Sequence, residues 1–224
     1  MSSSDGIPNS GVSRIVCIPV CEGEQSLSSR TLESVASNTV VETEILVILL
    51  GIDWKSIPLH NESITNLGNR IRWIKAEEPV DPWPPYRALS HLPAQYDDHD
   101  VVLILPGVEV PRGWDARLAL AAFQDENIAS VSPLCDISPL FALLDKEHSR
   151  RSNLSIVDRL AHALGQRRNI EVPALLCGCV YLRRPALRLA EPKCTAKEDH
   201  GLGAFCWALA KTFALDGFHN VCCD

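Results

Sequence analysis

The chain has 224 residues, of which 46% are hydrophobic and 22% are charged, as in an ordinary soluble globular protein. Lys and Arg total 21 against 28 Asp and Glu, so the formal net charge is −7. Proteins that bind nucleic acid or anionic lipid use a basic field, and this balance excludes such binding as the main function. Residues 1–12 are rich in Ser, Gly and Asn and are predicted to be a flexible N-terminus before one domain at 13–224.

Nine cysteines are spread along the chain, an odd number with no repeated Cys-x-x-Cys spacing. The sequence opens without a basic segment followed by an apolar leader, and its apolar runs are far shorter than the roughly 20 residues that span a bilayer. These features predict a cytoplasmic protein whose thiols are reduced and mostly buried as small hydrophobic side chains, rather than a disulfide framework or a structural zinc site.

Short runs of Val, Ile and Leu alternate with helical spacings, which predicts an α/β domain with a mostly parallel sheet flanked by helices. Pro-rich residues 79–85 are predicted to form a loop, because proline fits neither a helix interior nor a central strand. In chain order the pattern predicts a strand at 13–20, a helix at 26–37, strands at 44–50 and 70–75, a short helix at 86–92 and a strand at 100–105. It then predicts a helix within 111–127 that begins near Arg112 or Gly113, a strand at 128–132, a helix at 154–165, a strand at 172–183, a helix at 202–215 and an edge strand at 218–223.

Candidate chemistry lies in the loops that follow the predicted strands, because open α/β sheets bind ligands beyond the carboxyl ends of their strands. The phosphate-binding and nucleophile-elbow glycine motifs are absent from the sequence. Glu109 follows one strand, and Glu198 and Asp199 precede the last helix. They are candidates for one shared site, although a helix dipole alone also favours acids at its N-terminus.

Five segments, in this order, resemble the family 2 glycosyltransferases, which have the GT-A fold and move a sugar from a nucleotide-sugar donor to an acceptor. RIVCIPV and the helix after it, in residues 14–35, are similar to the family's opening strand, Ile-Pro-Val-Tyr-Asn turn and helix. VVLILPGVEVPRGW at 101–114 is similar to the strand and loop that carry the Asp-x-Asp motif. The remaining three are SVSPLCDISPLF at 130–141, as in cell-surface polysaccharide members, LCGCVYLRRPAL at 176–187, and EDHGL at 198–202.

The resemblance covers residues 13–222 and implies a site. Asp199 would be the general base that takes the proton from the acceptor hydroxyl, with Glu198 beside it. A nucleotide-sugar donor with Mg²⁺ or Mn²⁺ and a saccharide or cell-envelope acceptor would be the ligands, at a cytoplasmic or peripheral membrane location and with a protein partner as a further option. The positions that would line the nucleotide are Pro19, Glu22, Gly51 and Asp53.

The sequence departs from the family at the acidic motifs. The two Asp-x-Asp acids fall on Leu105 and Gly107, and the acid pair that ends the second strand falls on Leu49 and Leu50. Glu109, two residues further on, is the acid left to replace a metal ligand, and one carboxylate is a poor ligand set for Mg²⁺.

Three interpretations stay open at this point. The first is an active hexosyl or related transferase that works without a metal, with a cation such as Arg87 or Arg183 neutralising the diphosphate. The second is a catalytically degenerate transferase fold that acts as a binding or regulatory partner of an active enzyme. The third is an unrelated α/β binding domain.

Overall fold

A computed structural model describes residues 13–40, 42–59, 70–76, 88–89, 91–134, 154–164, 169–175, 178–190 and 202–223. Within these ranges eight strands form a single mixed sheet that is flanked by helices, which confirms the predicted α/β class. Predictions for the N-terminus at 1–12 and the loop at 79–85 fall outside the described residues, and of the predicted helix at 86–92 the structure shows residues 88–89 as helical.

The strands of the sheet follow one another in the order β3-β2-β1-β4-β7-β5-β8-β6. β7 is antiparallel to β4 and β5, and β6 is antiparallel to β8, whereas the other neighbouring strands are parallel. The strands are β1 (Arg14–Val20), β2 (Glu44–Leu50), β3 (Ile71–Ala76), β4 (Asp100–Ile104), β5 (Ile128–Pro133), β6 (Ile170–Glu171), β7 (Cys179–Leu182) and β8 (His219–Cys223).

Helices cover both faces of the sheet. They are α1 (Gln25–Asn38), α2 (Trp114–Ala122), α3 (Leu154–Leu164), α4 (Arg184–Ala190) and α5 (Leu202–Leu215). Val16 and Ile18 of β1 pack in the cluster that contains residues of α1 and α2. Ile15 and Cys17 pack in the cluster that contains residues of α4 and α5. Successive side chains therefore enter opposite cores, which explains why the central strands β1, β2 and β4 are apolar at every position after their first residue.

Two strand predictions are corrected. The predicted strand at 172–183 is shorter in the structure: residues 172–175 do not belong to a strand, and β7 begins only at Cys179 after Gly178, whose φ is +119°. The apolar run across this region gives no sign of this later start. The segment predicted as an edge strand at 218–223 is β8, which lies between β5 and β6 and has neighbours on both sides.

The helix predicted within 111–127 starts close to the expected position, near Arg112 or Gly113, but ends earlier than expected. α2 begins after Gly113, which has a φ of +71°, and it ends at Ala122. Asp125 accepts a hydrogen bond from the backbone N–H of Asn127 at 2.8 Å, forming a turn that stops the helix before β5. Among the helices of the described residues, none is long and apolar enough to cross a membrane.

Candidate functional site

The strand order predicts a ligand-binding crevice beyond the carboxyl ends of β1 and β4. From β1 the chain moves to β2 and β3 on one side and then returns to β4 on the other side. A reversal of this kind is the topological switch point at which open α/β sheets bind ligands. The crevice is flanked by a first loop, residues 21–24 after β1, and a second loop, residues 105–110 after β4.

The first loop is closed by one carboxylate. Glu24 Oε2 accepts a hydrogen bond from the backbone N–H of Cys21 at 3.2 Å and another from Cys21 Sγ at 2.8 Å. Gly23 has a φ of +87°, and the backbone N–H of Glu24 donates to the Cys21 carbonyl at 3.2 Å. Glu24 therefore fixes the conformation of this loop, while Glu22 points to solvent as an exposed residue.

The environment of Cys21 holds its thiol in the protonated form. Burial raises the pKa of Cys21 to about 12, with the hydrogen bond to Glu24 and the negative charge of Glu24 adding to the effect. A thiolate is the nucleophilic form of cysteine, so Cys21 is expected to be unreactive near neutral pH although it is half-buried rather than fully enclosed.

We expect Glu24→Gln to make Cys21 more reactive, because it removes the charge that opposes the thiolate. Burial stays, so the pKa of Cys21 should fall but remain above the ordinary value. Since the pKa is raised in the native chain, alkylation of Cys21 should increase with pH far into the alkaline range, and in the variant this increase should begin at lower pH. The measurement is the iodoacetamide alkylation rate of the Cys21 peptide by mass spectrometry across a pH series.

Glu22→Gln is the matched control for this experiment. Glu22 is an exposed acid in the same loop, and no interaction with it contributes to the raised pKa of Cys21. The control should leave the alkylation profile of Cys21 unchanged. Equal profiles for the native chain and Glu24→Gln would contradict the role assigned to Glu24.

The second loop begins with a tight turn. The backbone N–H of Val108 donates to the carbonyl of Leu105 at 3.2 Å, with Pro106 and Gly107 between them. Gly107 has a φ of +92°, so proline and glycine occupy the positions that a type II turn favours for them. The N–H of Leu105 also donates to the carbonyl of Gly178 at 2.8 Å, which ties the turn to the residue before β7.

Three polar side chains of α1 hold the second loop. Thr31 Oγ1 accepts the N–H of Gly107 at 2.8 Å. Ser34 Oγ accepts the N–H of Val110 at 2.8 Å and donates to its carbonyl at 3.1 Å. Asn38 Nδ2 donates to the same carbonyl at 2.9 Å. The sequence interpretation missed these residues, although their spacing of three and four positions puts them on one helix face and could have signalled it.

The structure places the nucleotide-lining candidates at one edge of the sheet. Pro19 is buried within β1, and Gly51, with a φ of +73°, directly follows β2. Asp53 is exposed, and its carboxylate accepts the N–H of Lys55 at 2.9 Å. Because β1 and β2 are adjacent and parallel, Glu22, Gly51 and Asp53 lie beyond the same carboxyl edge. Glu198 and Asp199 fall outside the described residues.

The second loop does not fit a divalent metal ion. Glu109 is exposed, and apolar Leu105 and Gly107 occupy the positions of the Asp-x-Asp acids. Nowhere in the described part of the chain do three or more His, Cys, Asp or Glu side chains form a group that could hold a metal ion. Mg²⁺ and Mn²⁺ need several oxygen ligands, and this loop offers one carboxylate.

Arg183 is placed away from the crevice, which corrects its assignment as a cation for the diphosphate. β7 runs antiparallel to β4, so the residue after its end lies at the amino edge of β4. The guanidinium group of Arg183 donates to the backbone carbonyls of Asp125 and Glu126 at 3.2 and 2.9 Å and lies 4.8 Å from the centre of the Phe123 ring. Arg183 therefore joins β7 to the turn after α2. Arg87, the other candidate cation, is not among the described residues.

No protein-family model matches the sequence, and no curated protein matches it at a significant level. Solved structures do match. GalNAc-T7 with UDP, GalNAc and Mn²⁺ has a TM-score of 0.64 at 14% identity, over 95% of this chain and 42% of that chain. The mannosyltransferase PcManGT from Pyrobaculum calidifontis, in complex with GDP-Man and Mn²⁺, has a TM-score of 0.58 at 14% identity, over 95% of this chain and 56% of that chain. S. aureus TarS (residues 1–349) has a TM-score of 0.57 at 10% identity, over 94% of this chain and 58% of that chain.

These structures have the GT-A fold of glycosyltransferases, and the likeness shows that this chain has that fold. The chain spans about half the length of the solved structures it matches. The fold expected from the sequence resemblance is thereby confirmed, while membership of family 2 stays a prediction.

Proposed function

We propose that the protein is a glycosyltransferase that moves a sugar from a nucleotide-sugar donor to a saccharide or cell-envelope acceptor, at the crevice between β1 and β4. The observation that carries this proposal is the likeness across 95% of the chain to GalNAc-T7 and PcManGT, which were solved with UDP and with GDP-Man. The carboxyl-edge position of the first loop and of the segment after β2 supports it, because this is the edge at which such sheets bind nucleotides.

The residues divide into two roles under this proposal. Glu22 and Asp53, with the backbone of Pro19 and Gly51, contact the nucleotide from the ends of β1 and β2. Asp199, with Glu198 beside it, removes the proton from the acceptor hydroxyl. The roles of the acid pair derive from the sequence resemblance alone.

A thermal-shift series with nucleoside diphosphates tests donor binding. A ligand present at about 100 times its Kd stabilises the folded state by about 2.7 kcal/mol. In a domain of this size that corresponds to an increase in Tm of roughly 5–10 °C. We expect one of UDP, GDP, ADP, CDP or dTDP to produce such a shift in the native chain, and no shift with any of them would overturn the proposal.

Two matched variants locate the binding site in that series. The carboxylate of Asp53 accepts the N–H of Lys55, and that of Asp125 accepts the N–H of Asn127, so both are exposed caps with the same local geometry. Asparagine can keep either cap while removing the charge. Asp53→Asn, at the carboxyl edge, should reduce the ligand-induced shift, whereas Asp125→Asn, before β5 at the amino edge, should leave it intact.

A second candidate function is a catalytically degenerate transferase fold that binds or regulates an active partner enzyme. The type II turn with Leu105 and Gly107 in the acid positions favours it specifically. The same series separates the two functions, because this candidate predicts no nucleotide-induced shift and a stable complex of the full chain with a partner enzyme. Release of nucleoside diphosphate from a nucleotide sugar would count against it.

A further inference from the structure

We infer that the second loop is a fixed apolar wall of the crevice, and that this protein binds the diphosphate of its donor without a divalent metal ion. This inference rests on the proposed function, since it describes how the same site takes its ligand. It is carried by four features of the described residues: the turn geometry, the hydrogen bonds from α1, the packing around Gly107, and the lack of a ligand set.

The turn geometry opposes a carboxylate at position 107. Gly107 has a φ of +92°, a backbone conformation that L side chains rarely adopt. An acid at this position would strain the turn that Val108 closes onto Leu105. The glycine is therefore required by the conformation of the loop.

Hydrogen bonds keep the loop from opening to a different shape. The N–H groups of Leu105, Gly107, Val108 and Val110 all donate to acceptors within the protein. The acceptors come from three directions: the loop itself, the residue before β7 and the side chains of α1. Reshaping the loop around an ion would break several of these bonds together, and an unsatisfied buried donor is costly.

The side chains that border the turn are apolar. A Cβ built on Gly107 would lie 3.8 Å from a methyl group of Leu27, in the first turn of α1. A Cβ on Gly178 would lie 3.4 Å from a methyl group of Val108, so the residue before β7 also borders an apolar side chain. Leu27 is itself 47% exposed, which places apolar surface beside the turn. Divalent ions prefer oxygen ligands, and this surface presents methyl groups instead.

Two measurements on the full chain test the inference. The Kd of the nucleoside diphosphate that gives the largest thermal shift is measured by calorimetry in excess EDTA and in excess MnCl₂. Separately, Mn²⁺ is titrated into the protein, with and without that nucleotide, and free Mn²⁺ is followed by its electron paramagnetic resonance signal. Mn²⁺ chelates free nucleoside diphosphate, so we expect a Kd in MnCl₂ that is no lower than the Kd in EDTA. We also expect the free Mn²⁺ signal to fall no further with protein and nucleotide together than with the nucleotide alone.

A Kd that is about tenfold or more lower in MnCl₂ than in EDTA would overturn the inference and leave the proposed function standing. Loss of the Mn²⁺ signal to the protein would also overturn it, and Glu109→Gln would then show whether the second loop supplies a ligand. Absence of nucleotide binding in both media would overturn the proposed function together with the metal-free binding of its donor. A Mn²⁺ signal that the protein does not lower would in that case still support a second loop that binds no metal ion.

Discussion

Asp100→Ala is expected to lower the free energy of unfolding by about 2–6 kcal/mol. Asp100 is 2% exposed at the start of β4, where Oδ2 accepts the hydroxyl of Tyr181 at 2.7 Å and Oδ1 accepts the backbone N–H of Arg184 at 2.8 Å. The alanine variant leaves both donors buried without this acceptor, and each such loss costs about 1–3 kcal/mol. Urea denaturation followed by fluorescence measures the difference.

Tyr181→Phe is the control that separates the two lost partners. It removes one donor and leaves Asp100 bonded to the N–H of Arg184, so we expect it to cost about 1–3 kcal/mol, less than Asp100→Ala. If both variants lost the same stability, the carboxylate would not be acting as the shared acceptor that the structure shows. Burial and the nearby charge of Asp100 raise the pKa of Tyr181 far above its usual range. The hydroxyl group of Tyr181 therefore stays protonated at all physiological pH values and can donate its hydrogen bond to Asp100.

The hydrogen bond between Asp100 and Tyr181 also links the stability of the domain to the position of the second loop at the crevice. It joins β4 to β7 at the amino edge, while at the carboxyl edge the same two strands meet where Leu105 donates to Gly178. The pairing of β4 with β7 thus fixes the position of the second loop at one end and is anchored by a buried polar contact at the other. A change at Asp100 should therefore affect the crevice through strand register rather than through direct contact.

The fold was largely predictable because runs of apolar residues mark most of the strands in the sequence. The run Glu44–Leu50 was predicted as a strand and forms β2 with the same bounds, since an apolar strand between two covered faces differs from every helical pattern around it. The late start of β7, after Gly178, was not predictable, because apolar residues continue on both sides of this glycine. The interior place of β8 was missed because it depends on pairing with β5, which is distant in the sequence.

The candidate site was only partly predictable, because strand direction and tertiary contacts decide where several of its residues lie. Glu22 and Asp53 follow adjacent parallel strands, so their edge of the sheet followed from the strand pattern alone. Arg183 was assigned wrongly because the sequence does not show that β7 runs antiparallel, and reversing a strand moves its end to the opposite edge. Thr31 and Ser34 were missed because polar residues on a surface helix usually face solvent, and only the tertiary structure brings the second loop against them.

Asp199→Asn is expected to lower the rate of sugar transfer by a factor of about 10²–10⁴, the usual contribution of a positioned general base. The proposed role is removal of the proton from the acceptor hydroxyl, and an amide cannot accept that proton. The donor is held at the ends of β1 and β2, so the thermal shift produced by the nucleoside diphosphate should be the same in the variant and in the native chain. The measurement is release of nucleoside diphosphate from a panel of nucleotide sugars, with water or a saccharide as acceptor.

Glu198→Gln is the neighbouring control, and the pattern of kcat and KM decides the assignment. Loss of a base that acts only in the transition state should lower kcat and kcat/KM together and leave the donor KM unchanged. Glu198→Gln should have the smaller effect on kcat, because the resemblance assigns the base to Asp199. Full turnover in Asp199→Asn would remove Asp199 from this role, and a larger loss in Glu198→Gln would transfer the role to its neighbour. A native chain that binds nucleotide but transfers no sugar would instead favour the degenerate, partner-binding function.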